Sequence, residues 1–373
     1  MVNSDLINKI YIDNPKQKGL MLSHAGKIWI MPENGVRGAM DMYQPVSRVG
    51  KMLKNKVIKK HKTPFFAFKS KIKEVNFDLN EDIKKQLEEA LGISDFYVAT
   101  YMGDSSYTQN DKAVLQVYSD DEIYAYVKVT MNEENAMRLK KEADVLNYLK
   151  SNDLDIIPRV IALELNSEVK MLIQSTKKTM GQEVELIFDN KIIDAVQKIK
   201  NKTAHNIDYK DSDLYERIEY LKRNLDAFNQ DQQLVIKEAI KKVEESSLGE
   251  YSLYHGDFTP WNIYYYKGNV NVFDFEYCCK SMPSYMDIFH YITQMSLLGK
   301  RDTAQCVMME YEKHFKLIEK YISNPDMIFI CYMIWVIGFY LERSYDNLEK
   351  IEDFLKTHVD ILEYLVRYRN KGV

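Results

Sequence analysis

The order of strand-like and helix-like segments between residues 71 and 175 constrains the fold more than any other feature of this chain. Three runs rich in Val, Tyr and Ile, DFYVATYM, KAVLQVYS and EIYAYVKVT, are separated by turn-forming residues. A segment with apolar residues at helical spacing, NEENAMRLKKEADVLNYLK, comes next and is followed by two further strand-like runs, IPRVIALEL and EVKMLIQS. Strands, one helix and then strands predict an antiparallel sheet with one helix packed on it.

The rest of the chain divides into a short first part and a long last part. Residues 1–70 contain one strand-like run, KIWIMP, and no chemical motif, so we expect an N-terminal extension of unknown role. Residues 176–373 are mainly helical in pattern, with short strand-like runs NIYYY and VNVFDF. The most apolar stretch, MIFICYMIWVIGFYL, is shorter than the roughly 20 residues that a membrane span needs. We therefore predict a buried core helix and no transmembrane segment.

The charge and the cysteines exclude several classes of protein. The formal net charge of −4 does not favour binding to nucleic acid. The four cysteines include no C-x-x-C pair, which argues against a zinc site or a disulfide framework and favours a reducing, cytoplasmic location. The first residues lack a basic start followed by an apolar run, so no signal peptide is expected.

The segment LYHGDFTPWNIYYYKGNVNVFDFEY, residues 253–277, carries the residues with the clearest chemistry. Asp257 can accept a hydroxyl proton, and Asn262 can turn its side-chain carbonyl towards a metal ion. Asp274 ends an apolar run, where its carboxylate can reach the same ion, and Glu276 can assist. Mg²⁺ prefers such oxygen ligands. On their own, however, these fragments are also compatible with two tight turns between strands.

The same segment resembles a known family of enzymes. HGDFTPWN followed by VFDFE is similar to the catalytic and metal-binding segments of the aminoglycoside phosphotransferase and choline kinase superfamily, with Pro283 and Asp287 at the places of a downstream Pro and Asp. The resemblance is strongest from Phe96 to Ile292 and does not cover the first 70 residues. It implies an α+β, protein-kinase-like fold with two lobes: an N-lobe of residues 71–175 and a catalytic, mainly helical C-lobe of residues 176–373.

The resemblance also implies the roles of individual residues in binding ATP and Mg²⁺. It makes Asp257 the catalytic base, Asn262 and Asp274 the metal ligands, and Glu276 a helper. A phosphate-binding lysine and its glutamate partner are expected at Lys128 and Glu142. The remaining nucleotide-binding candidates are Ser105 and Ser106, in a glycine-poor loop between two strands, and Gln174 and Thr176, at a hinge whose backbone would read the adenine edge.

The acceptor is less well defined by the sequence. Tyr332 and Trp335 loosely resemble the aromatic residues that hold a quaternary ammonium group in choline kinases, although packing in an apolar helix explains them equally well. The sequence has no dense acidic cluster that would argue for an aminoglycoside as the acceptor. A sugar hydroxyl is a further candidate acceptor.

The prediction is an ATP- and Mg²⁺-dependent phosphotransferase whose partners are a nucleoside triphosphate and a small molecule with a hydroxyl group. One alternative is a protein kinase, which the Glu at position 276 and the lack of an A-P-E segment disfavour. The other is a non-catalytic pseudokinase scaffold. The oligomeric state is left open.

Overall fold

The computed structural model describes residues 4–24, 26–60, 72–103, 112–298 and 303–369. The chain forms two compact units. Unit 1 comprises Met1–Ser151, Asp155–Glu185 and Tyr264–Glu276. Unit 2 comprises Asn152–Leu154, Leu186–Ile263 and Tyr277–Val373. The sequence predicted borders after residues 70 and 175, whereas residues 1–70 belong to unit 1, and unit 1 continues to Glu185 and includes one later hairpin.

The strands and helices of the described residues have the following bounds. The strands are β1 Tyr11–Ile12, β2 Lys18–His24, β3 Lys27–Pro32, β4 Ile72–Asn76, β5 Asp78–Leu79, β6 Tyr97–Met102, β7 Lys112–Tyr118, β8 Ile123–Thr130, β9 Val160–Glu164, β10 Lys170–Ser175, β11 Tyr251–Tyr254, β12 Ile263–Tyr266, β13 Asn269–Val272 and β14 Cys279–Pro283. The helices are α1 Ser4–Ile10, α2 Val36–Ala39, α3 Arg48–Lys60, α4 Glu81–Leu91, α5 Glu133–Ser151, α6 Asn190–Thr203, α7 Asp213–Arg223, α8 Gln230–Glu244, α9 Met286–Leu298, α10 Ala304–Ile318, α11 Pro325–Arg343 and α12 Glu352–Glu363.

Unit 1 is built on an eight-stranded sheet with the order β4-β2-β3-β6-β7-β8-β10-β9. Every neighbouring pair in this sheet is antiparallel. The five strands predicted between residues 71 and 175 are β6 to β10, and α5 is the predicted helix between them. The strand predicted at KIWIMP is β3, but β2 and β4 were not expected. The N-terminal part of the chain therefore extends the sheet.

One face of the sheet is defined by a row of side chains that runs across five strands. Trp29, Tyr101, Val114, Lys128 and Leu172 are paired in register, so their side chains share one side, which we call the Lys128 face. Helix α5 packs on this face next to Leu172 through Leu139 and Ala143, and residues of α2 and α3 pack on it next to Trp29. Helices α1 and α4 pack on the opposite face.

Unit 2 is mainly helical, with α6 to α12 and the two-stranded pairing of β11 with β14. Helix α11 contains the stretch that the sequence predicted as a core helix. It is the one helix in the described residues that is long and apolar enough to cross a membrane, and 72% of its most apolar window is buried inside the protein. Together the two units have the α+β class that the sequence predicted.

Candidate active site

Lys128 and Glu142 form a buried ion pair in unit 1. Lys128 lies near the end of β8 and is 6% exposed, while Glu142 lies on α5 and is fully buried. The Lys128 Nζ is 2.6 Å from the Glu142 Oε2. Because Glu142 adjoins Ala143, which packs on the sheet, the helix phase directs its carboxylate towards the Lys128 face.

Asp274 is the second anionic partner of Lys128. Its carboxylate forms an ion pair with the Lys128 ammonium, and its side chain is 25% exposed. Asp274 lies two residues after the end of β13. The hairpin of β12 and β13, whose residues 264–276 belong to unit 1, therefore places Asp274 next to Lys128. Its backbone φ of 72° lies in the left-handed region, which is uncommon for a residue other than glycine. Such strain, of order 1–3 kcal/mol, persists where surrounding contacts fix the residue and is concentrated at functional sites.

The Glu142 carboxylate is held on both of its oxygens. While Oε2 faces Lys128, Oε1 accepts hydrogen bonds from Gln174 Nε2 at 2.9 Å and from the Phe275 backbone amide at 3.3 Å. Gln174 is 3% exposed. The side chain of this predicted nucleotide-binding residue therefore fixes Glu142 in the described structure.

Electrostatics favour the charged form of the lysine at this cluster. Burial opposes the charged form of Lys128, but the carboxylates of Asp274, Glu142 and Glu276 outweigh it and raise the pKa of Lys128. Burial raises the pKa of Glu142, against the opposing effect of Lys128. Glu276, the predicted helper, accepts a hydrogen bond from Lys112 Nζ at 2.6 Å. With all three carboxylates charged, the cluster holds three negative charges, on Glu142, Asp274 and Glu276, and two positive charges, on Lys112 and Lys128.

Asp257 lies in unit 2, in a tight loop after β11. The side-chain amide of Asn262 donates to the Asp257 backbone carbonyl at 2.9 Å and to the Asp257 Oδ2 at 2.7 Å. The Asp257 backbone amide donates to His255 Nδ1 at 3.1 Å. Because the Asn262 nitrogen faces Asp257, its Oδ1 is the atom that can bind a metal ion.

Asp287 holds this loop from helix α9. Its Oδ2 accepts the His255 backbone amide at 3.0 Å, and the Gly256 amide also bonds to the carboxylate. The pKa of Asp287 is raised to about 7, mainly by burial; the two backbone hydrogen bonds oppose this rise, and the nearby Asp257 charge adds to it. The carboxylate thus fixes the position of the backbone immediately before Asp257.

His290 is a neighbour of Asp257 that sequence reasoning missed. Its Nε2 is 3.6 Å from the Asp257 Oδ1, and its Nδ1 is 2.8 Å from the Tyr254 hydroxyl. His290 is 4% exposed. The signal that could have found it is its spacing on α9, since a residue three positions after Asp287 lies on the same side of the helix.

The other predicted residues fall in different surroundings. Tyr332 and Trp335 are 0% and 2% exposed in the core of unit 2, where Trp335 packs on Tyr254 and Tyr332 on His290. Packing accounts for both, and binding of an acceptor by their rings would require those rings to become exposed. The Thr176 hydroxyl accepts the Lys178 backbone amide at 3.0 Å. Ser105 and Ser106 lie outside the described residues.

Within the described ranges, no group of three or more His, Cys, Asp and Glu side chains is arranged to hold a metal ion. The predicted ligands are divided between the units, with Asp274 in unit 1 and Asn262 in unit 2. Each supplies an oxygen atom of the kind that Mg²⁺ prefers.

Comparison with solved structures gives distant structural likenesses. No protein-family model matches the sequence, and no curated protein matches it. Among solved structures, a thermostable mutant of aminoglycoside phosphotransferase APH(4)-Ia, in a ternary complex with ADP and hygromycin B, is similar at 11% identity and a TM-score of 0.47, covering 78% of this chain and 100% of that one. The GDP complex of aminoglycoside 2'-phosphotransferase-IIIa has 11% identity and a TM-score of 0.47 and covers 76% and 97%. Amicoumacin kinase hAmiN, with AMP-PNP, Ca²⁺ and Ami, has 14% identity and a TM-score of 0.42 and covers 68% and 86%. These likenesses are weak, and the chemistry of this chain rests on its own residues.

Proposed function

We propose that this chain is an ATP- and Mg²⁺-dependent phosphotransferase that phosphorylates a hydroxyl group of a small molecule. The observation that carries the proposal is the buried ammonium of Lys128, fixed between Glu142 and the backbone-strained Asp274. A lysine held in this way offers a fixed positive charge to phosphate oxygens, and phosphoryl transfer depends mainly on positioning and electrostatic stabilisation.

The donor atoms suit magnesium bound together with a nucleotide. Asp274 offers a carboxylate and Asn262 an amide oxygen, and Mg²⁺ usually takes one or two such groups plus the phosphates of its substrate. A cluster of three acidic side chains is therefore not required. When bound, the ion would neutralise charge on the phosphate oxygens.

Asp257 has the chemistry of the base in this reaction. The acceptor hydroxyl oxygen forms a bond to the γ-phosphorus while the bond from that phosphorus to the β,γ-bridging oxygen breaks, which releases ADP. The hydroxyl proton goes to the Asp257 carboxylate. Asn262 orients this carboxylate through its hydrogen bond to Oδ2.

A nucleotide-consumption screen tests the proposal. Purified protein with Mg²⁺ and ATP is offered choline, ethanolamine, amino sugars, simple sugars and aminoglycosides, which cover the choline-like, aminoglycoside-like and sugar classes of acceptor. We expect acceptor-dependent release of ADP with at least one of them, and loss of that release in Asp257→Asn while nucleotide still binds. Full turnover by Asp257→Asn would show that Asp257 is not the base.

A nucleotide-independent scaffold is the second candidate. It is favoured by the backbone amide of Lys177, next to the predicted hinge, which is already bonded to the Tyr264 hydroxyl at 3.1 Å. Thermal-shift titration with Mg²⁺ and ATP separates the two candidates, because a ligand of the native state must stabilise it. No stabilisation at any concentration would favour the scaffold.

A further inference from the structure

One face of helix α11 in unit 2 changes from buried to half-buried towards the end of the helix. Tyr332, Trp335, Phe339 and Arg343 follow one another at intervals of three or four positions, so they share this face. Tyr332 and Trp335 are buried, whereas Phe339 and Arg343 are half-buried. The last turns of this face can therefore contact a ligand that enters from solvent.

Aromatic rings hold the guanidinium group of Arg343. This group lies over the Tyr277 ring, 4.8 Å from its centroid, and over the Phe339 ring at 5.2 Å. The two rings pack edge to face with their centroids 5.4 Å apart, and Trp335 stacks on Phe339 at 4.8 Å. Stacking occupies the faces of a planar guanidinium, while its N–H groups point outwards in its plane. The rings therefore fix the charge of Arg343 and leave its edge available to an acceptor atom.

This edge of Arg343 has no acidic partner within the chain. Across the described ranges, no carboxylate forms an ion pair with Arg343, and the adjacent Glu342 pairs with Arg217 at 2.7 Å instead. The half-buried guanidinium thus presents a positive charge and several donors to whatever binds beside it.

Arg343 and Asp257 border the same region of unit 2. Tyr277, which lies under the guanidinium, comes so close to the loop of Asp257 that a Cβ atom on Gly256 would lie 2.3 Å from the Tyr277 carbonyl oxygen. Tyr340 lies near both charges: burial and the Asp257 carboxylate raise its pKa to about 12, against the opposing effect of Arg343. The Asp257 side chain is itself 31% exposed. A small molecule on this surface therefore meets a carboxylate at one end and a guanidinium at the other.

These charges discriminate between classes of acceptor. A planar guanidinium binds a carboxylate or phosphate group through two parallel hydrogen bonds, and it repels an ammonium group placed beside it. The rings of Tyr277 and Phe339 already carry a cation on the faces that Arg343 covers, so these faces are not available to the quaternary ammonium of a choline-like acceptor.

We propose that the acceptor is an anionic molecule, whose hydroxyl group lies at Asp257 and whose carboxylate or phosphate group binds to Arg343. This inference rests on the proposed function, since it assumes that Asp257 receives the hydroxyl proton. It names the chemical class of the acceptor and makes Arg343 the residue that determines specificity.

Four hexoses that differ in charge test the inference: glucuronate, glucose 6-phosphate, neutral glucose and cationic glucosamine. Binding of each to the full chain is measured by ligand-observed NMR, and release of ADP is measured with Mg²⁺ and ATP. For the wild type we expect both anions to bind at least tenfold more tightly than glucose, and glucosamine to bind more weakly than glucose. Arg343→Gln should reduce the preference for the anions over glucose by about tenfold, because a charge-assisted hydrogen bond is lost.

Arg343→Glu adds a result that a purely structural role of Arg343 would not give. This substitution reverses the charge at the end of α11, so the order of the hexoses should invert, with glucosamine bound more tightly than glucuronate. Loss of a structural contact would instead weaken the binding of all four hexoses alike.

Arg369→Gln is the matched control. The Arg369 guanidinium also lies over two rings, both on α10, but it forms ion pairs with Glu312 and Asp326. We expect this variant to keep the wild-type order of the four hexoses.

The outcomes separate the two proposals. If glucose or glucosamine binds the wild type as tightly as the anions, if the Arg343 variants weaken all four hexoses alike, or if none of the four binds, the inference is wrong. Release of ADP with a neutral or cationic acceptor would then leave the proposed function standing. If the anions bind through Arg343 but neither they nor any other acceptor in the screen causes release of ADP, the proposed function is wrong and Arg343 is an anion-binding residue only.

Discussion

The Lys128 Nζ lies 2.6 Å from the Glu142 Oε2, and both groups are withdrawn from water. A buried charge without its partner is costly, so this pair couples the stability of unit 1 to the site that we propose for phosphate. The contribution of the Lys128–Glu142 ion pair can therefore be measured both by unfolding and by phosphate binding.

Glu142→Gln should weaken both properties. The substitution keeps the shape and one acceptor oxygen but removes the charge that faces Lys128, and we expect a loss of roughly 3 kcal/mol in the free energy of unfolding. Tripolyphosphate binding should weaken because Lys128 is less well fixed. Glu134→Gln is the control: Glu134 lies on the same helix and pairs with Arg138, but its side chain is 57% exposed. Equal effects of the two substitutions in urea unfolding would contradict the prediction.

His290→Gln should lower turnover without weakening nucleotide binding. The His290 ring is oriented by the Tyr254 hydroxyl and faces the Asp257 carboxylate, so we expect it to position the base. The expected result is a fall of about tenfold in kcat, less than the roughly 10²–10⁴-fold contribution of a general base because His290 acts only through Asp257, and a changed pH–rate profile. His314→Gln, at a histidine on α10 that pairs with Glu310, is the control. An unchanged kcat and pH profile in His290→Gln would limit His290 to packing.

The parts of the site that the sequence predicted are those with local or periodic signals. Asp257 and Asn262 are five residues apart in one loop, and their hydrogen bond follows from that spacing. Lys128 and Glu142 were expected from the resemblance to the kinase family, and the helix phase next to Ala143 indicated that Glu142 can face the sheet. Their ion pair is present in the structure, while its role in binding phosphate stays a prediction.

The missed parts depend on pairings that lie far apart in the sequence. Lys112 pairs with Glu276, which is 164 positions further along the sequence, and no local sequence pattern predicts this pairing. Strand β2 contains no β-branched or aromatic residue, and β4 has five residues of which two are charged, so their neighbours in the sheet define them more than their composition does. The packing of α2 on the sheet was missed for the same reason, since this helix is four residues long and is stabilised by its contacts with the sheet.

Asp287 should make unit 2 less stable as the pH rises. Its pKa is about 7 in the folded protein against an ordinary value of 3.8, so the folded state binds the proton more tightly than the unfolded state does. This contribution to stability is full below about pH 4 and is lost as the pH rises through about 7. Asp287→Asn removes the dependence.

Urea unfolding between pH 4 and pH 8 measures the effect of Asp287. The free energy of unfolding of Asp287→Asn minus that of the wild type should rise with pH by roughly 4 kcal/mol across this window, at about 1.4 kcal/mol per pKa unit. Asp353→Asn, at an exposed position on α12, is the control and should give a difference that does not vary with pH. A difference for Asp287→Asn that is flat over the same range would show that this carboxyl does not titrate there.

Gly256→Ala should disrupt the loop that carries Asp257. Gly256 has a φ of 83°, and a Cβ atom there would lie 2.3 Å from the Tyr277 backbone carbonyl oxygen. Gly249→Ala is the matched control, since Gly249 has a φ of 72° but no atom within 4 Å of an added Cβ. The control should cost about 1 kcal/mol from the backbone conformation alone. Gly256→Ala should cost roughly 2 kcal/mol more and abolish turnover, because a backbone atom cannot move aside as a flexible side chain can. Equal unfolding free energies for the two variants would mean that the Gly256–Tyr277 approach does not constrain the loop.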